Sequence, residues 1–193
     1  MVTAARATTW VTAEQFWEMS GDGVRRELWR GVVVEMSPVG GPQPWIAERI
    51  GRVLNEHAPR LGIGRAWGNE AGFVIGRDPD AVLAPDVVLV PATGLAGMTL
   101  ADRGFYDIIP PLVVEVKSPS DTESDISAKL AMYLSAGVGE VWWVRPQRMT
   151  LTRYRADAEP VVLGPEDTLD GGELLPGLSL PVGRLFVPPT VEW

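Results

Sequence analysis

The segment Leu112-Val-Val-Glu-Val-Lys117 constrains this chain more than any other. Its composition is that of a buried strand, because β-branched side chains pack well on a pleated surface. It nevertheless carries two charges. Side chains alternate along a strand, so Leu112, Val114 and Val116 share one face, and Val113, Glu115 and Lys117 share the other. Glu115 and Lys117 are then neighbours, about 6.8 Å apart along the strand. Charges in such a run are costly unless they are paired or face a polar cavity. An internal ion pair satisfies that condition, and so does a catalytic site.

A second Val-rich run, Val87 to Val90, opens with Asp86 directly after Pro85. Alone, an acid there starts the strand or closes a turn. On two adjacent strands, however, Asp86 and Glu115 can present two hard oxygen ligands at one spot. Mg²⁺ is typically held by one or two carboxylates together with waters and substrate phosphate oxygens. Lys117 beside them can orient or deprotonate an attacking water and balance charge on a phosphorane-like transition state. These are the parts of a metal-dependent phosphodiesterase.

The surrounding pattern is mixed α/β. Thr12-Ala-Glu-Gln15 has the form of a capping box and predicts a short helix ended by Gly21-Asp-Gly23. Arg26 to Glu35 reads as two strands turning at Arg30-Gly31. Ile46, Ile50, Val53, Leu54 and Leu61 fall on one face of a helix ending near Gly62. Strands are predicted at Gly64–Trp67, Gly72–Ile75, Asp86–Val90 and Leu112–Lys117. A second capping box, Thr122 to Asp125, opens a helix whose apolar face is Ile126, Leu130, Tyr133 and Leu134. Glu140–Arg145 and Met149–Tyr154 form a hairpin, and a Gly/Pro-rich ending supplies a closing loop and edge structure. The expected architecture is one sheet flanked by helices. Trp142 and Trp143, adjacent on a strand, point to opposite faces; one is expected in the core, and the other in the core or at a subunit contact.

Composition narrows the chemistry. Among 193 residues there are 25 acidic and 17 basic side chains, so 17 − 25 gives −8, which argues against coating nucleic acid or anionic lipid by bulk charge. The absence of cysteine excludes disulfides, thiolate nucleophiles and thiolate metal sites. His57 is the only histidine, which excludes His-rich metal sites. It is expected as a solvated or partly buried helix residue. Lys117 and Lys129 are the only two lysines. Met1 to Trp10 lacks a signal-peptide core, and no run approaches the ~18 apolar residues of a membrane span. The expectation is a cytoplasmic protein.

Pro85-Asp86, twenty-eight residues and then Glu115-Val-Lys117 resemble the PD-(D/E)xK signature of restriction-endonuclease-like nucleases. The flanks Pro85–Val90, Leu112–Ser120 and Lys129–Val144, with Arg26–Gly31 and Leu175–Leu178, resemble the Uma-two family of "putative restriction endonucleases" over nearly the whole chain. That resemblance implies a restriction-endonuclease-like α/β core, a central mixed sheet flanked by helices, in a single domain over residues 1–193. Residues 1–62 would be its N-terminal helix, hairpin and helix, 63–155 its catalytic core, and 156–193 its closing segment. It implies Mg²⁺ or Mn²⁺ on Asp86 and Glu115, Lys117 as catalytic lysine, nucleic acid (DNA) as substrate, and a homodimer. Glu27 matches an acidic position placed near the metal; the alternative is a solvated strand carboxylate beside Arg25, Arg26 and Arg30.

The sequence departs from the family pattern at two places. Family members often carry an apolar residue where Lys117 stands, and the lysine of the following helix, here Lys129, takes the role. The competing reading of Lys129 is a surface residue paired with Asp125 at i,i+4. A histidine common before the second helix is replaced around Pro44-Trp45, which puts any substrate contact it makes in doubt. Arg25, Arg26 and Arg30 are candidate phosphate contacts, as are Arg145, Arg148, Arg153 and Arg155, although such runs also serve as solvated faces. An idle module that binds nucleic acid or a protein, or a hydrolase of small phosphoesters, would share these features. Convergence of Asp86, Glu115 and Lys117 in one open cleft separates the nuclease from these alternatives, whereas the active-nuclease reading fails if Glu115 and Lys117 are both buried on a face packed by the helices.

Overall fold

The computed structural model describes residues 10–38, 40–68, 71–96, 98, 99 and 104–189. The N-terminal stretch considered above for a targeting segment lies, up to residue 9, outside the described residues. No helix among the described residues is long and apolar enough to cross a membrane.

Local sequence sets the elements. Helix α1 (Ala13–Glu18) starts at the predicted capping box, where Thr12 and Gln15 satisfy each other's backbone N–H. Strands β1 (Arg26–Trp29) and β2 (Val32–Glu35) form the hairpin, with Arg30 and Gly31 both at positive φ in its turn. Helix α2 (Gln43–His57) buries Ile46, Ile50 and Leu54 at intervals of four. Each contributes about 2 kcal/mol by leaving water. A 3-10 turn then leads to Gly62 in the left-handed region.

Strands β3 (Gly64–Gly68), β4 (Phe73–Gly76), β5 (Ala81–Leu83) and β6 (Val87–Pro91) follow, and then the one-turn helix α3 (Ala92–Leu95). Strand β7 (Leu112–Val116) is buried at every position. Helix α4 (Glu123–Ser135) opens with the second capping box and carries the chain to β8 (Glu140–Arg145), which is parallel to β7. Strands β9 (Thr150–Arg155) and β10 (Ala158–Leu163) extend the sheet, and β11 (Thr168–Asp170) and β12 (Ser179–Pro181) form a small ribbon.

One sheet was expected, and the strands form two larger ones. A six-stranded mixed sheet runs β10-β9-β8-β7-β6-β3, and a four-stranded antiparallel sheet runs β2-β1-β5-β4. The difference turns on β5, whose three residues are too few for a clear alternation. It pairs with both β1 and β4 and so draws the first hairpin away from the main sheet.

One face of the large sheet packs against α2 and the C-terminal segment, with Val114, Val116 and Trp142 meeting Ile50, Leu178 and Leu185. The other face packs against α4 and the small sheet, with Val113 and Trp143 among Phe73, Leu83, Ile126 and Tyr133. Both tryptophans are therefore core. Helix α1 covers the far side of the small sheet through Phe16, Leu28 and Val82. Since Leu28 points to α1, alternation turns Glu27 inward, towards β7 and α4.

Candidate active site

Asp86 stands just before β6. The β6–β7 ladder ends at Val87 opposite Val114, so the backbone N–H of Val116 has no β6 carbonyl to meet. The Asp86 carboxylate takes its place: Oδ2 accepts from Val116 N–H at 2.7 Å. Oδ1 accepts from Gln43 Nε2, in the first turn of α2, at 2.8 Å. Burial pushes the Asp86 carboxyl up, against the Val116 and Gln43 hydrogen bonds and the charges of Lys129 and Arg25.

Glu115, on β7, follows Val113 to the α4 face. Its Oε1 accepts from Tyr133 OH at 2.5 Å and meets Lys129 Nζ at 2.7 Å. Lys129 and Tyr133 lie four residues apart on α4 and so share its inner face. The same ammonium reaches Glu27 Oε1 at 3.1 Å. Glu27 is also held by the Ala84 N–H on Oε1 at 3.0 Å and by Trp29 Nε1 on Oε2 at 2.8 Å. Glu27, Glu115 and Lys129 are all buried, and Lys129 is no surface partner of Asp125, whose carboxylate closes the α4 capping box instead.

Burial pushes the Glu115 carboxyl up to about 7; Lys129 opposes the rise, and the charges of Asp86 and Glu27 add to it. Burial alone would lower Lys129, but Glu115 and Glu27 outweigh it and hold the amine above its ordinary range. Burial, then the neighbouring Glu115, pushes the Tyr133 hydroxyl up, so Tyr133 keeps its proton and donates a hydrogen bond to the carboxylate.

Glu27, Asp86, Glu115 and Lys129 line a common open cleft of about 180 Å³, with Gln43 and Trp143 also on its wall. Lys117 is not among its lining residues. Strand β7 stops at Val116, and the Lys117 Nζ turns back to the carbonyl oxygens of Ser118 and Asp121. The alternation that put Lys117 beside Glu115 therefore does not carry through to its side chain, and the expected convergence of Asp86, Glu115 and Lys117 in one cleft does not occur; Lys129 stands there instead. Two buried atoms at the cleft, Gln43 Oε1 and Trp143 Nε1, have no hydrogen-bond partner among the described residues.

Arg25 also lines the cleft. Arg26 is engaged by Asp22 at 2.8 Å and Glu35 at 3.6 Å, and Arg30 borders a separate depression beside Met132 and Ser135. Of the later arginines, Arg145 pairs with Glu123 and Arg153 with Glu140. His57 ends α2, its Nε2 at 2.9 Å from the Pro176 carbonyl. Gln43 and Tyr133 were not singled out by sequence reasoning as site residues. The i,i+4 step from Lys129 was a usable signal for Tyr133. Gln43 could have been found only by noting that it adjoins the Pro44-Trp45 position where the family histidine is replaced.

Among the described residues, no group of three or more His, Asp or Glu side chains is assembled as a metal cage. The donor set instead suits an open site. Each Asp86 oxygen accepts one hydrogen bond, and Glu115 is engaged through Oε1 alone, so both carboxylates retain acceptor capacity, whereas Glu27 accepts from three donors. Two carboxylates with open positions match the way Mg²⁺ is usually held, its remaining positions being filled by water and phosphate oxygens.

The same architecture occurs in a crystal structure described as a putative nuclease belonging to DUF820 from Anabaena variabilis. It superposes with a TM-score of 0.79 and 20% identity, over 91% of this chain and 97% of that one. No curated protein matches the chain. A family profile described as "putative restriction endonuclease" matches residues 13–183, and the chain belongs to that family, Uma2 (Uma-two).

Proposed function

We propose that the protein is a divalent-cation-dependent nuclease, with Asp86 and Glu115 as cation ligands and Lys129 as the site's lysine. The observation that carries this reading is the convergence of these three side chains in one open cleft, Glu115 and Lys129 in direct contact at 2.7 Å. Six carboxylates line the cleft against two cationic side chains, Arg25 and Lys129, so on their own these groups repel a phosphodiester; a cation must offset them first. When bound, Mg²⁺ or Mn²⁺ would lower the pKa of a water and neutralise charge on the phosphate.

The chain's own groups divide the remaining work. Asp86 and Glu115 would hold the ion, their carboxylates being positioned beforehand by Val116 N–H and by Tyr133. Lys129, held charged, acts as a fixed positive charge beside the attacked phosphate and not as a base that takes a proton near neutral pH. Glu27 holds that ammonium in place through a carboxylate anchored on the Ala84 N–H and Trp29. Lys117 supports the Ser118–Asp121 turn. DNA is the proposed substrate, and two copies acting together would cut both strands of a duplex.

The test is cleavage of single- and double-stranded DNA and RNA with Mg²⁺, Mn²⁺ or EDTA, comparing the native protein with Glu115→Ala. The expected result is cleavage that needs the ion and vanishes in the variant. Equal activity in both proteins would mean contamination. Binding without cleavage under every condition would favour an idle nucleic-acid-binding module.

A further inference from the structure

Gln43 is 9% exposed and sits where the open cleft meets a groove along α2 that runs past Glu48, Arg52 and Asn55. Its amide is oriented by what it touches. Nε2 donates to Asp86 Oδ1 at 2.8 Å; turning the amide over would set its oxygen against that carboxylate. The orientation is thus fixed, and it leaves Oε1 buried and without a partner. Leaving a buried amide oxygen unpaired is unfavourable, because its hydration is lost and nothing replaces it. Trp143 Nε1, the other unpaired atom at the cleft, is a donor, yet the two do not satisfy each other. A buried acceptor held by the hydrogen bond of its own amide to a candidate cation ligand calls for a donor or a cation.

We propose that Gln43 is a third oxygen donor of the cation site, its amide carbonyl adding a neutral ligand to the carboxylates of Asp86 and Glu115. The inference rests on the metal-dependent reading above. Amide carbonyls of Asn and Gln are ordinary donors to hard divalent cations, which gather several oxygens. A neutral donor also suits a cleft already crowded with negative charge, where a further carboxylate would raise repulsion in the ion-free protein. One side chain then performs two tasks: Nε2 fixes Asp86, and Oε1 binds.

The two tasks separate under substitution. Gln43→Met keeps the length and removes both groups. Gln43→Glu removes the donor to Asp86 but keeps an oxygen and adds charge. Mn²⁺ binding to the full chain, read by the loss of free-ion EPR signal, is measured for the native protein and both variants, with ion-free thermal melts to verify folding. The expected result is a Kd at least tenfold weaker for Gln43→Met and no weaker than native for Gln43→Glu. Native-like binding by Gln43→Met, or weakening in Gln43→Glu, would overturn the ligand role while leaving the cation site itself intact. The Gln43→Glu comparison decides the matter alone if Gln43→Met does not fold. Absence of Mn²⁺ binding by the native protein would overturn the metal-dependent reading, and this inference with it.

Discussion

Replacing Lys129 by Met tests the centre of the site without any substrate. The ammonium bridges Glu115 at 2.7 Å and Glu27 at 3.1 Å, with all three groups buried. At an effective dielectric of about 20, those separations correspond to about 6 and about 5 kcal/mol of gross attraction. Several kcal/mol per ion of desolvation offsets most of it, so the net value of the cluster is small. Removing only the cation is different, because two carboxylates are left buried with no countercharge. Breaking a buried pair in this way costs about 3–5 kcal/mol.

That cost depends on pH. The folded-state pKa of Glu115, about 7, is already raised from an ordinary 4.5, so its contribution favours folding at low pH and is lost as pH rises through 7. Without Lys129 the carboxyl rises further, and each pH unit spent ionising it adds about 1.4 kcal/mol. Urea unfolding at pH 8 and pH 6 reads the effect. Lys129→Met is expected to lose about 3–5 kcal/mol at pH 8, with the gap narrowing by about 1–2 kcal/mol at pH 6. Lys117→Met, which removes contacts to two turn carbonyls and a minor attraction to Asp125, should lose about 1 kcal/mol. Equal losses for the two variants, or a Lys129→Met loss that ignores pH, would refute the bridging ammonium.

Further perturbations address other links of the chain. Tyr133→Phe removes the donor to Glu115 and should cost about 1–3 kcal/mol in chemical denaturation, with Glu115 titrating higher by NMR; an unmoved titration would contradict the hydrogen bond. A cation must displace the proton that Glu115 holds near pH 7, so Mn²⁺ affinity should climb from pH 6 to 8 and then level off; equal affinity at both pH values would contradict the raised pKa. Leu185→Ala, in the closing segment but fully buried, should cost about 2–5 kcal/mol in the same unfolding measurement; a loss near zero would show that the segment is not part of the core.

How far the sequence reveals this site follows from what each residue depends on. Asp86 and Glu115 were legible because each belongs to a short Val-rich run whose neighbours leave an acid little choice but a partner or a cavity. Glu27 was harder, since its burial depends on which face of the first hairpin meets α1, and that is decided by Leu28, Val82 and Phe16 together. The lysines misled for opposite reasons. Lys117 obeys strand alternation only while the strand lasts, and β7 ends one residue before it. Lys129 stood in the sequence both as an alternative catalytic lysine and as a surface partner of Asp125, because Ile126, Leu130, Tyr133 and Leu134 define an apolar face that leaves it out. Packing turns α4 so that Ile126, Lys129, Met132 and Tyr133 point inward, with Leu130 and Leu134 at the margin. A helix with apolar residues on most sides leaves its rotation to tertiary contacts. The two-sheet arrangement was hidden for a similar reason, since the three residues of β5 pair according to their neighbours and not their pattern.

Which lysine serves the cleft decides whether Asp86, Glu115 and Lys129 work together. Cleavage of a supercoiled plasmid with Mg²⁺ or Mn²⁺, compared for Lys117→Ala and Lys129→Ala after both are shown to be folded, decides it. Activity should survive the first substitution and disappear with the second. Activity lost with Lys117→Ala and kept with Lys129→Ala would contradict the assembly of Asp86, Glu115 and Lys129 as the working site.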